Sequence, residues 1–278
     1  MKFGIHAGLW QRAWSDDPAP IMRQAKSLGF DGVELSLLGV GLTDAAALRT
    51  LSGELDLALT CSTGLGAGDD PGSADPERRA AAIATLTNAV RTAGAMGAGN
   101  LSGVVASPWG YYEPARKSER AEYAAESLAK LDSILREEGV VMGIEALNRF
   151  ESDLTNTAAE TQAIAVATGS QNIGVLLDTF HMNVEEKSPP AAIVATGKSL
   201  VHFHISDNDR GVPGSGHYDF KTTAQALSQI GYTGWVMAEM FVTAGNPNSA
   251  DVNIWRNIEA DPTEAARATL SFMQRIFS

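Results

Sequence analysis

The chain has a single cysteine, Cys61, so no internal disulfide can form. It also lacks any apolar run approaching the length of a membrane span. Basic side chains are scarce, with 21 Lys and Arg against 33 Asp and Glu and a formal charge of −12. Surfaces this acidic repel a phosphate backbone, which argues against nucleic acid as a partner. There is no GxGxxG or Walker pattern, so the Gly-rich stretch from Gly211 to Gly216 is a poor phosphate cradle. The opening segment, MKFGIHAGLW, reads as a first strand and has neither the long apolar stretch nor the cleavage site of a signal peptide. The expectation from these absences is a soluble, cytoplasmic protein without membrane or nucleic-acid partners.

What is present is a large globular core. The apolar fraction is 44%, the charged fraction 19%, and no linker or charge block divides the 278 residues. Strand-like runs fall near 2–7, 31–35, 56–62, 100–105, 140–145, 173–178, 200–205 and 235–240. Several are continuously apolar, as in Gly174-Val175-Leu176-Leu177 and Trp235-Val236-Met237-Ala238, the pattern of parallel strands covered on both faces. Between them lie helical stripes, such as Ala124, Leu128, Leu131 and Leu135, or Ala266, Leu270, Met273 and Phe277. Asp75-Pro76, Asp261-Pro262 and Thr157-x-x-Glu160 mark helix starts, and Gly29, Gly139 and Gly231 mark stops. Eight strand–helix units predict a (β/α)8 TIM barrel, one domain over 1–278, with a doubly wound open sheet as the weaker option.

Chemistry concentrates at strand ends. Glu145, Asp178, His204 and Glu239 end or nearly end the last four strands, at gaps of 33, 26 and 35 residues, each about one βα unit. A single acidic residue there often only caps the next helix. Four in succession at one level point instead to a metal site on the rim where barrels place their chemistry. Three carboxylates with one imidazole suit Mn²⁺, Mg²⁺ or Co²⁺ better than a thiolate-seeking ion. His202 and His204 share a face of the seventh strand, and His204, nearer the rim, is the better ligand. His202 reads equally well as a hydrogen-bonded interior residue, and His217 as a solvated loop residue. Trp10, Trp14, Trp109 and Phe241 fall near strand ends; packing suits Trp10, whereas Trp109 and Phe241 could line a pocket wall.

Four segments together resemble the ketose 3-epimerase family, which includes D-tagatose, D-psicose and L-ribulose 3-epimerases. They are ExLNRFE at Glu145–Glu151, LDTFHMNVEE at Leu177–Glu186, HFH at His202–His204 with Arg210, and Ile254-Trp255-Arg256; the stretch Gly29–Glu34 also fits. The resemblance implies one divalent ion, Mn²⁺ first with Co²⁺ or Mg²⁺ as alternatives, on Glu145, Asp178, His204 and Glu239. It also implies that Glu151, His181 and Arg210 hold the sugar near O1 to O3. This sequence departs from the family at Met240, where many members have proline, at His6, where tyrosine is common, and at the variable position Ser62. His6 and Ser62 are placed by the resemblance at the far end of the sugar, and a homodimer or homotetramer is implied as well.

The reaction makes its own demands. Inverting a carbon beside a ketone removes its proton from one face and returns one to the other, through an enediolate. A divalent ion on the carbonyl and a neighbouring hydroxyl would stabilise that charge, and no organic cofactor is needed. Glu145 and Glu239, three strands apart in the ring, could flank the sugar as the acid–base pair. Aldose–ketose isomerisation, of the xylose isomerase or hydroxypyruvate isomerase kind, would use the same groups and stays open. A multi-metal phosphodiesterase of the endonuclease IV type would need more than the five histidines present. A non-catalytic sugar-binding protein would have no use for two opposed carboxylates.

Overall fold

The structure, a computed structural model, describes residues 1–278. Eight parallel strands close in sequence order into a barrel, β1 against β8 completing the ring, which rules out the open sheet. The strands are β1 (Lys2–His6), β2 (Gly32–Ser36), β3 (Ala58–Leu65), β4 (Asn100–Pro108), β5 (Val141–Glu145), β6 (Ile173–Asp178), β7 (Leu200–Ile205) and β8 (Trp235–Ala238). Only β3 and β4 differ appreciably from expectation, each running three residues further towards the rim. There the ladder slips at Gly64/Leu65, and the Trp109 N–H reaches the Leu65 carbonyl at 3.1 Å.

The outer layer includes α1 (Ala19–Leu28), α2 (Leu42–Leu55), α8 (Pro189–Thr196) and α9 (Phe220–Gln229), and several helices start and stop where the sequence signals place them. Asp75 caps α3 (Pro76–Met96) and Asp261 caps α11 (Pro262–Phe277), each accepting from first-turn amides behind a proline at the start of the helix. Thr157 and Glu160 form the capping box of α6 (Ala158–Ala167). Gly29, Gly139 and Gly231 all take positive φ, the left-handed conformation that ends a helix. Ala124 and Leu128 of α4 (Lys117–Ala129), then Leu131, then Leu135 of α5 (Asp132–Glu138), are completely buried in the layer between helices and strands. Eleven α-helices are present rather than eight, because α4 and α5 are separate and the rim loops carry short helices of their own. Among these, α7 (Thr179–Glu185) begins immediately after β6, and α10 (Pro247–Asp251) lies in the loop after β8. No helix is long and apolar enough to cross a membrane.

Inside the ring the alternation of strand side chains points Glu34, Thr60, His202 and His204 towards one another. Asp178 and His204 are direct register partners on β6 and β7. Gly103, at φ 128°, lets β4 approach β3; a Cβ there would strike the Thr63 carbonyl oxygen.

Candidate active site

Glu145, Asp178, His204 and Glu239 converge at the carboxyl ends of β5 to β8. Each can offer one ligand atom such that all four lie within 4.8 Å of one another. Asp178 has two functions at once. Its Oδ1 caps α7 by accepting from the Phe180 N–H at 2.8 Å, while Oδ2 lies 2.7 Å from Arg210 Nη1. Helix capping and membership of the cluster are therefore not alternatives here. Arg210 Nη1 also donates to Glu239 Oε2 at 2.8 Å, and Nη2 lies 3.2 Å from His181 Nε2. The guanidinium stands 4.1 Å from the centre of the Phe180 ring, a cation–π contact that holds its plane.

Arg210 reaches this place because its loop is built to hold it. Its backbone sits at φ 68°, which costs a non-glycine residue about 1–2 kcal/mol. The buried carboxylate of Asp207 organises the turn, accepting from the Asn208 and Gly214 amides at 2.8 Å each. The Arg210 carbonyl then accepts from the Phe241 N–H, tying this loop to the one after β8.

Burial raises the Glu145 carboxyl above its usual range, and nearby Glu239 adds to the effect. Glu239 moves the other way. Burial alone would raise it, but His204 and Arg210 outweigh that and hold it well below the ordinary value. For His204, burial is outweighed by Glu34 and Glu239, so the imidazolium is favoured when carboxylates are its only neighbours.

Beside the cluster opens a cavity of about 300 Å³ lined by Glu145, His204 and Glu239. His6, Ser62, Trp109, Glu151, His181, Arg210 and Phe241 line it too. Asp178 does not, since Arg210 covers it. The Trp109 indole N–H donates to Glu151 Oε2 at 3.1 Å, and Asn148 Nδ2 donates to Glu151 Oε1 at 2.9 Å. The Asn148 N–H donates to His181 Nδ1, so one asparagine aims both side chains. At the other end, His6 Nδ1 accepts from the Gly8 N–H at 3.1 Å and Nε2 lies 2.9 Å from Ser62 Oγ. Burial lowers the His6 pKa despite Glu239 and Glu34, which keeps this ring neutral. His6, Trp14 and Phe241 form an aromatic corner with ring centres 6.0–6.3 Å apart.

His202 is an interior residue bonded to Glu34, 2.7 Å away, and His217 is exposed. Trp10 packs against the core. Asn148, Trp14 and Glu34 have places in or behind the site, although the sequence reading gave none of them a role. For Glu34 a signal existed, an acidic residue within an otherwise apolar strand.

Fold and site together define a (β/α)8 enzyme with a carboxylate-rich cluster, able to hold a divalent metal, at the rim of a sugar-sized cavity. The family model for the xylose isomerase-like TIM barrel matches residues 22–276. A D-psicose 3-epimerase of Agrobacterium fabrum is 33% identical, with 98% of each chain covered. An L-ribulose 3-epimerase of Methylomonas sp. is 32% identical over 99% of this chain and 97% of its own. A crystal structure of a D-psicose 3-epimerase in the presence of D-fructose superposes with a TM-score of 0.95 at 31% identity, covering 100% of this chain and 99% of that one. The chain belongs to the xylose isomerase-like TIM barrel family and, within it, to the ketose 3-epimerases, which are isomerases.

Proposed function

We propose that the protein is a metal-dependent epimerase that inverts C3 of free ketoses such as D-fructose and D-psicose, D-tagatose or L-ribulose, with Glu145 and Glu239 as the acid–base pair. The observation that carries this reading is the placement of Glu145 and Glu239, two carboxyls of one ligand cluster that line one cavity, in a chain similar to D-psicose 3-epimerases whose crystal structures were determined in the presence of D-fructose and with D-tagatose.

The cluster suits a divalent ion. Three carboxylates and one imidazole form a hard-to-borderline donor set, which favours Mn²⁺, with Co²⁺ or Mg²⁺ as alternatives. His204 Nδ1 is buried without a hydrogen-bond partner and lies 3.6 Å from Glu239 Oε2, as an unused ligand atom would. When bound by Glu145, Asp178, His204 and Glu239, such an ion supplies Lewis-acid stabilisation of the charge that develops on the ketose oxygens.

The remaining chemistry falls to the chain. One of Glu145 and Glu239 takes the C3 proton, giving a cis-enediolate, and the other returns a proton to the opposite face. Which does which depends on the epimer that enters. Arg210 and His181 border the same space and donate to the oxygens that gain charge, while Glu151 accepts from a sugar hydroxyl. His6 and Ser62 bound the end of the sugar remote from C3, and Trp109 and Phe241 form walls of the same cavity.

The cavity favours a neutral sugar over a phosphate ester. Arg210 is its only Lys or Arg, against Glu145, Glu151, Glu239 and Asp251 in the same lining. Asp207 is not part of this lining, its carboxylate being turned into its own loop. Incubating the Mn²⁺-loaded protein with a panel of free ketoses, and following the products by chromatography, tests the activity. A higher kcat/KM for ribulose 5-phosphate than for ribulose would overturn the preference for free sugars.

A further inference from the structure

Behind the carboxylate cluster, on the barrel axis, lies a buried group that none of the chemistry above uses. Glu34 of β2 is completely buried, and its carboxylate stands between the two histidines of β7. Its Oε2 accepts from Thr60 Oγ1 at 2.9 Å and lies 2.7 Å from His202 Nε2. Its Oε1 lies 2.8 Å from His204 Nε2, although bent away from the line of a straight hydrogen bond. A carboxylate offers only acceptors. An acceptor this close to Nε2 is tolerable only when that nitrogen carries a proton. A neutral imidazole has one proton to place, so Nδ1 keeps its lone pair, and Nδ1 is the nitrogen that faces Glu239.

We propose that Glu34 is a positioning residue for the metal centre: it fixes His204 as the Nε2–H tautomer and so presents Nδ1 as the ligand atom. This inference rests on the metal-site reading above. Thr60 and His202 serve it by holding the Glu34 carboxylate in one orientation. Carboxylates that orient ligating histidines in this way commonly influence affinity about 10–100-fold.

Glu34→Gln isolates the effect. The Thr60 hydroxyl still donates to the position of Oε2, which draws the amide oxygen there and leaves the amide NH₂ opposite His204 Nε2. Two donors then face each other. The ring relieves the clash by moving its proton to Nδ1, and the ligand atom is lost.

The test is calorimetric titration of metal-free native protein and Glu34→Gln with Mn²⁺, alongside thermal melts of both metal-free forms. Expected are one site in the native protein, a Kd about 10–100-fold higher in the variant, and melting temperatures that differ far less than the affinities imply. If the native protein binds one ion and the variant binds it equally well, the role of Glu34 is overturned while the metal site stands. If the native protein binds none, both fall. Should the variant fail to fold, ¹⁵N-histidine NMR of the Mg²⁺-loaded native protein still decides. A proton on His204 Nε2 supports the assignment, and a proton on Nδ1 overturns it.

Discussion

Replacing Arg210 by methionine removes the charge that balances the cluster while keeping a long side chain in place. Arg210 is buried, and a single nitrogen, Nη1, serves both Asp178 at 2.7 Å and Glu239 at 2.8 Å. Breaking a buried ion pair by removing one partner costs about 3–5 kcal/mol, because the remaining charge stays desolvated. The φ of 68° is equally awkward for methionine, so backbone strain does not enter the difference. At about 2–4 °C per kcal/mol for a chain near this size, the metal-free variant should melt roughly 6–20 °C below native. A divalent cation restores the missing charge, so saturating Mn²⁺ should close much of that gap. The pH dependence has a definite sign. Burial raises the Glu239 carboxyl, but His204 and Arg210 hold it well below its unfolded value. Its contribution is therefore complete above the unfolded value of about 4.3 and is lost as pH falls through the folded one. The native–variant gap should be widest near neutrality and shrink below about pH 4.3. Thermal melts by far-UV circular dichroism, with chelator and with Mn²⁺, measure all of this. A metal-free variant melting with the native protein at neutral pH would refute the reasoning.

Other consequences are simpler to check. Glu145→Gln and Glu239→Gln should each lower kcat for a good ketose at least about 10³-fold, since a placed proton-transfer group contributes roughly 10²–10⁴ and the donor set is weakened as well. Near-native turnover in either would end the two-carboxylate mechanism. Dialysis against a chelator should abolish activity and added Mn²⁺ or Co²⁺ restore it, as an assay of metal-free and reloaded protein will show. Asp261→Ala, outside the cavity lining, should cost about 1 kcal/mol in denaturant unfolding through loss of the α11 cap without changing turnover.

Most of the barrel is legible in the sequence because its signals are local. Apolar runs such as Leu176-Leu177, the Asp-Pro helix starts and the glycine stops each act within a few residues. The four carboxylate and histidine positions are legible for a related reason, since a βα repeat turns regular spacing into a common height on the rim. What escapes depends on folding. Glu34 and His202 are 168 residues apart and meet only because the barrel closes. Asn148 gains its role from α7, whose start at Asp178 puts His181 within reach of the loop after β5. Nothing in the sequence around Asp207 shows that the backbone of its own loop wraps its carboxylate.

Proton exchange at C3 tests the central claim most directly. The Mn²⁺-loaded protein is incubated with D-fructose in D₂O and the recovered sugars are examined by NMR. A C3 epimerase acting through an enediolate should give D-psicose carrying deuterium at C3, with none fixed at C1. Deuterium at C1 accompanied by an aldose, or a complete absence of deuterium from carbon, would contradict it.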